Sequence, residues 1–140
     1  MFQRILLAVD SSDARAHALA TVTPLAERFG SSVHVVHVAP TAVVSTAVLA
    51  IEEDEDARRV LDETLTALRD AGVKADGELL SSLTVEVPAA ISAAAERVDA
   101  DLLVLSPHHR RFVASWLTPS VSAAVAHAAR VPVLLVPEAS

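Results

Sequence analysis

From Ser106 to Ser120 the chain reads SPHHRRFVASWLTPS, with two histidines, two arginines, two prolines and no glycine. These residue types handle anions in a particular way. A guanidinium offers a planar fork suited to phosphate, and a histidine adds charge below about pH 6.5. Glycine-rich turns instead cradle phosphates with bare backbone N–H groups. Any anion held here is therefore gripped by side chains, with His108 to Arg111 as the candidate cluster and Arg110 and Arg111 as its forks. The competing reading is a solvated loop that keeps an acidic protein soluble. The second reading is preferred, because no other basic residue joins the cluster.

Further candidates are few. Asp10 ends the apolar run RILLAV, and a carboxylate there acts as a general base only with a nucleophile or water in reach. Ser11 and Ser12 are adjacent, yet with Asp13 they read first as caps of a following helix. No G-x-S-x-G elbow is present, so no catalytic residue is assigned. His34 and His37 stand three apart in a strand-like run, which puts them on opposite faces and rules them out as a metal pair. His17 and His127 occur singly in helical segments, so no metal site is expected. Phe112 and Trp116 are read as anchors of the long loop against the sheet.

Composition narrows the classes. Eleven Lys and Arg against 18 Asp and Glu give a net charge of −7, which repels nucleic-acid backbones and anionic lipid surfaces. The absence of cysteine removes disulfides, thiolate metal sites and thiol nucleophiles together. The N-terminal stretch MFQRILLAVDSSD lacks a signal peptide's long apolar region and cleavage site, so a cytoplasmic location is expected. The apolar stretch Thr41 to Ile51 falls well short of the ~20 residues of a membrane helix. It reads as a buried or interface segment. At 140 residues one domain spanning 1–140 is expected.

Elements that could position these residues are legible from hydrophobic runs. Ile5 to Val9, Val33 to Val38, Leu102 to Leu105 and Val133 to Val136 are continuous Val, Ile and Leu, as in strands buried on both faces of a parallel sheet. Val73 to Leu80 is a weaker fifth strand. Between them lie helices: one from near Ala14 to a C-terminal cap at Gly30, with Pro24 as a point of kinking or early break. A second follows the acidic run Glu52 to Asp56 and ends before Gly72. A third begins near Val87 with Pro88 in its first turn and Thr84 as a cap, and the last covers Ser120 to Ala129 with Pro119 just before it. Strands alternating with helices imply an α/β fold with right-handed crossovers. Ligands of such sheets gather at the carboxyl ends of the strands, where strand order reverses.

The phrases RILLAVDSS, VHVVHV, VDADLLVLS and SVSAAVAHAARVPVLLVP, in this order and spacing, resemble the universal stress protein family over nearly the whole chain. The resemblance implies a Rossmann-like three-layer sandwich of the adenine nucleotide alpha hydrolase-like kind. Its five-stranded parallel sheet would run in the order 3-2-1-4-5. It also implies a cytoplasmic homodimer acting in the stress response. Members that bind ATP carry G-x-x-G-x9-G-[S/T] after the fourth parallel strand. Here the three glycine positions fall on Ser106, His109 and Pro119, and the hydroxyl position on Ser120. Pro119 has no N–H to donate, and Ser106 and His109 add side chains where a nucleotide would lie.

Other parts of the binder pattern remain. Asp10 occupies the position that holds the adenosine, Val38 an apolar position against the base, and Ser120 and Val121 open a helix whose N-terminus favours anions. The resemblance thus implies a degenerate nucleotide pocket of Asp10, Val38, Ser106, His109, Arg110, Ser120 and Val121. The expectation is a non-enzymatic protein that holds no ATP or other cofactor. The alternative is a nucleotide or anion sensor using Arg110, Arg111 and Ser120. The closing strand, Val133, Leu134, Leu135 and Val136, lies at a sheet edge in this order, and the resemblance implies that two subunits pair there.

Overall fold

The runs of branched aliphatic residues form the middle of one sheet. The computed structural model of the chain describes residues 1–10, 14–44, 47–50, 54–83, 86–107 and 118–137. Their elements in order are β1 (Arg4–Val9), α1 (Ala14–Phe29), β2 (Ser32–Val44), β3 (Ala47–Ala50), α2 (Asp54–Asp70), β4 (Lys74–Leu83), α3 (Val87–Arg97), β5 (Leu102–Leu105), α4 (Pro119–Ala128) and β6 (Val133–Leu135). The parallel strands lie side by side as β4-β2-β1-β5-β6. Counted along the chain, that is a five-stranded parallel sheet in the order 3-2-1-4-5, as expected.

Alternation along β1 divides the core between two faces. Ile5, Leu7 and Val9 join Val22 and Ala26 of α1 and Leu61 and Leu68 of α2 on one face. Leu6 and Ala8 join Ile91 and Ala94 of α3 and Val125 of α4 on the other. Each fully buried aliphatic side chain contributes about 1.5–3 kcal/mol of transfer free energy, so a strand apolar on both faces is held at the centre.

Helix ends follow local chemistry. Gly30 and Gly72 both adopt positive φ (65° and 83°) where α1 and α2 stop, and Ser31 N–H then reaches back to Ala26 O at 2.9 Å. Asp99 does the same after α3 at φ 55°, a conformation that Asp tolerates better than most residues. Helix α1 continues through Pro24 rather than stopping there. Helix α4 begins at Pro119, one residue earlier than expected. Thr118 is its cap and proline takes the first helical position, where a missing N–H costs least. The expected caps at Ser11 to Asp13 and at Thr84 lie outside the described residues.

Two strands are longer than their apolar runs. β2 extends to Val44 and β4 to Leu83, because backbone pairing between them continues to Thr41↔Leu83 after the aliphatic pattern fades. Most of Thr41 to Ile51 forms a hairpin: β3 pairs antiparallel with the end of β2, from Val44↔Ala47 to Thr41↔Ala50. Thr41 thus has Leu83 on one edge and Ala50 on the other. Since β4 and β1 also flank β2 on opposite edges, β3 stands on the β1 side, in line with β1 beyond its carboxyl end.

Candidate functional site at the carboxyl ends of the strands

Strand order reverses between β1 and β5, so their carboxyl ends and the start of α4 frame the crevice. Asp10 leaves β1 here and is buried, 1% exposed. On the neighbouring strand His37 is fully buried, and its Nδ1 donates to the Val9 carbonyl at 2.9 Å, which ties the ends of β1 and β2 together. The next residue, Val38, is fully buried in the core beneath α3 and α4. His34, on the opposite face from His37, belongs to a separate cluster described below.

Ser106 ends β5. It is buried, and its hydroxyl donates to the Val136 carbonyl at 2.8 Å while Val136 N–H donates to Leu105 O at 2.8 Å. This hydroxyl is committed to the end of β6, not to the crevice. His109, Arg110 and the rest of the His108 to Arg111 cluster lie outside the described residues, as do Phe112 and Trp116.

The start of α4 shows how much backbone remains for an anion. The first turn of any helix presents N–H groups that its own ladder leaves unbonded. Here Pro119 has none, and the Val121 N–H donates to the Thr118 hydroxyl at 3.3 Å. The Ser122 N–H is already helical, bonded to Thr118 O at 2.9 Å. Of the first three helical positions only the exposed Ser120 retains an amide without a partner among the described residues. One amide and the macrodipole form a weak attraction for an anion, against the several converging amides of a phosphate nest.

Asp10 and Ser106 are thus buried at the carboxyl ends of β1 and β5, with Val38 of β2 also buried, Ser120 and Val121 stand in the first turn of α4, and Arg110 and His109 lie outside the described residues. Among the described residues no group of three or more histidines and carboxylates is placed to hold a metal. No described helix is long and apolar enough to cross a membrane. Other hollows lie away from the crevice, one of about 360 Å³ between the C-terminal ends of α3 and α4, lined by Ala95, Leu103 and Arg130 among others.

The opposite end of the sheet carries a cluster that the sequence pattern did not indicate. The ring of His34 lies between Asp76 Oδ1 (3.0 Å from Nδ1) and Glu78 Oε2 (2.6 Å from Nε2). Arg4 donates to Asp76 at 3.1 Å and Arg97 to Glu78 at 2.6 Å, so the chain Arg4, Asp76, His34, Glu78, Arg97 links β1, β2, β4 and α3. Partial burial pushes the Asp76 carboxyl upward, but hydrogen bonds and charge from Arg4 and His34 outweigh it and hold the carboxyl below its usual value. The signal was available in the spacing: Asp76 and Glu78 are two apart on a strand, so they share a face. Their partner could be known only from the pairing of His34 with Asp76.

A second structural carboxylate joins two interior strands, β1 and β5. Asp101 accepts from the backbone N–H groups of Gln3 (2.9 Å) and Arg4 (3.0 Å), and its own N–H donates to Arg4 O at 2.8 Å. The second aspartate of the VDADLLVLS phrase is thereby a clasp between the starts of β1 and β5.

Comparison with known proteins agrees with this architecture. The family model described as the universal stress protein family matches residues 1–137. A universal stress family protein from Burkholderia pseudomallei is 25% identical, with 98% of this chain and 97% of that one covered at a TM-score of 0.76. A universal stress protein from Archaeoglobus fulgidus is 27% identical over 97% of this chain and 99% of its own, at a TM-score of 0.72. The structure of the universal stress protein from Archaeoglobus fulgidus in complex with dAMP is 28% identical, covering 96% and 98%, at a TM-score of 0.70. The sequence has no significant match among curated proteins. With the family model matching almost end to end on a sheet of the same order, this chain belongs to the universal stress protein family.

Proposed function

We propose that this chain is a non-enzymatic universal stress protein of the kind that does not bind ATP, working in the cytoplasm as a homodimeric stress-response or regulatory protein. Family members are generally not classical enzymes and are commonly oligomeric. The observation that carries the reading is the start of α4: with Pro119 lacking an amide and Val121 capped by Thr118, the backbone grip that this turn offers a triphosphate is reduced, among the described residues, to Ser120. A relative solved in complex with dAMP shares the fold, so the fold itself admits an adenine nucleotide. Calorimetric titration with ATP and Mg²⁺ tests this, together with analysis of the heat-denatured protein's supernatant for adenine nucleotide. No heat and no nucleotide are expected; saturable binding of one ATP per chain overturns the proposal.

The remaining Ser120 amide favours a second reading, a sensor of a smaller anion assisted by Arg110 and Arg111. Titration with inorganic phosphate separates the two.

For the dimer, β6 is the edge. It pairs only with β5 among the described residues, and Leu135 is 45% exposed there. Two such edges meeting across a two-fold axis would bury Val133 to Val136 and satisfy their outer backbone groups. Sedimentation velocity at micromolar concentration is expected to give about twice the 14.7 kDa chain mass, and Leu135→Glu to return it to the monomer value. A wild-type monomer refutes this assembly.

A further inference from the structure

The hollow between the C-terminal ends of α3 and α4 lies at the amino ends of β5 and β6, at the far end of the sheet from the crevice. Small side chains leave it open: Ser92 and Ala95 of α3 and Ala128 of α4 line it where larger ones would fill the seam. Its volume of about 360 Å³ is at the lower end of the roughly 300–1,000 Å³ of small-molecule pockets. Buried Leu103 and Ala100, with the partly buried Val131, give it an apolar floor.

Charges of both signs stand around that floor without pairing. Glu96 and Asp99 are on the α3 side and Arg130 is on the α4 side. Among the described residues neither acid forms an ion pair with Arg130, and the guanidinium of α3 itself, Arg97, is committed to Glu78 at 2.6 Å. Asp99 is fixed by its turn: φ is 55°, its N–H donates to Glu96 O at 3.2 Å, and the Ala100 N–H donates to Ala95 O at 3.0 Å. Helix α3 so occupies its own last carbonyls, and α4 does not. After the Ala129 N–H reaches Val125 O at 2.9 Å, no described backbone amide takes the carbonyls of Ala126, His127 or Ala128. That end carries the negative pole of the helix. The Ser92 hydroxyl oxygen is buried without a hydrogen-bond partner among the described residues, although a serine inside a helix ordinarily bonds a carbonyl one turn back or water. A buried hydroxyl left so is unfavourable, and a polar group entering the hollow relieves it.

We propose that this hollow binds a small zwitterion, an α-amino acid with a short aliphatic side chain. Its ammonium lies against Glu96, Asp99 and the carbonyl end of α4, its carboxylate on the Arg130 fork, and its side chain on Leu103 and Val131. Opposite charges that stand apart around an apolar floor suit a ligand carrying both signs, since each end of it gains a partner. A purely anionic ligand meets two carboxylates and the negative helix end, and a purely cationic one leaves Arg130 unused. Binding here is independent of whether the crevice takes a nucleotide.

The test follows the backbone amide resonances of the nitrogen-labelled full-length chain by NMR during titration with L-valine. Isobutylamine, which lacks the carboxylate, and 3-methylbutanoate, which lacks the ammonium, are titrated in parallel. L-Valine is expected to saturate with a Kd of about 1 mM or tighter, moving the amides of Ser92, Asp99, Ala100, Arg130 and Val131, and each half-ligand to bind at least about tenfold more weakly. Arg130→Gln is expected to weaken L-valine about tenfold and leave isobutylamine within about twofold, whereas Glu96→Gln with Asp99→Asn weakens both. If Asp99→Asn disturbs the turn, as read by circular dichroism, Glu96→Gln alone decides. No change at about 10 mM L-valine overturns the proposal, as do changes centred on Val121 and Ser122 at the crevice. A half-ligand that binds within about threefold of L-valine, or unaltered L-valine binding by Arg130→Gln, overturns the zwitterion assignment.

Discussion

Replacing Gly77 by alanine tests whether the packing of α2 on the sheet is as tight as the structure requires. Gly77 sits in β4 opposite Val35 of β2, beneath Leu61 of α2. A Cβ built there would lie 2.7 Å from the Val35 carbonyl oxygen and 2.9 Å from Leu61 Cδ1. The leucine methyl can turn away, but the carbonyl belongs to the central sheet and can move only with it. Overpacking of this kind costs about 1–3 kcal/mol. Against it stands the reduced freedom of the unfolded chain, which favours alanine by about 0.4–1 kcal/mol. The cost wins, with a net loss of about 1–2 kcal/mol. For a domain of this size that is a fall of roughly 3–7 °C in Tm.

Urea unfolding followed by circular dichroism, with a thermal scan, measures the change. A double-mutant cycle with Leu61→Ala then locates it: in the Gly77→Ala background the leucine truncation is expected to cost less than in the wild type, with a coupling of at least about 0.5 kcal/mol. A Gly77→Ala protein at or above wild-type stability refutes the reasoning, and strict additivity with Leu61→Ala removes the helix from the explanation.

Two other consequences concern carboxylates at the amino ends of the strands. Asp76 is held below its usual value in the folded chain, so its contribution is fully present above about pH 4 and is lost as pH falls through the folded value. The stability difference between wild type and Asp76→Asn is therefore expected to shrink as pH falls below about 4, read from urea midpoints; a difference that keeps growing below that pH contradicts the arrangement. Asp101→Ala removes an acceptor shared by two backbone amides of β1 and is expected to cost about 2–3 kcal/mol, while a loss below about 0.5 kcal/mol in urea unfolding would deny the clasp its role.

Fold class was legible because it follows from patterns local to the chain, whereas the strand order was expected only from the resemblance of four phrases to a known family. Ile5 to Val9 and Leu102 to Leu105 are apolar at consecutive positions, which only a strand covered on both faces tolerates, and helical spacers between such runs leave little choice but parallel pairing. The turns at Gly30 and Gly72 were equally local, since positive φ selects glycine over other residues. Asp10 was placed at the carboxyl end of the first strand by the apolar run that it ends, and Ser120 was singled out by the resemblance.

What the chain alone did not disclose depends on partners far away in sequence. His34 looks like any polar residue in a strand until β4 brings Asp76 and Glu78 against it. Ser106 reads as an obstruction until the end of β6 takes its hydroxyl, and Thr118 as a loop residue until the first turn of α4 forms above it. The uncharged run after Val38 has no periodicity that distinguishes an interface segment from a hairpin. Its course was settled by the edge of β2 that β1 leaves unpaired beyond His37. Hydrophobic period and backbone preference act over a few residues and are written into the sequence. Pairing edges and the partners of buried polar groups arise only when distant segments are brought together, and tertiary structure alone decides them.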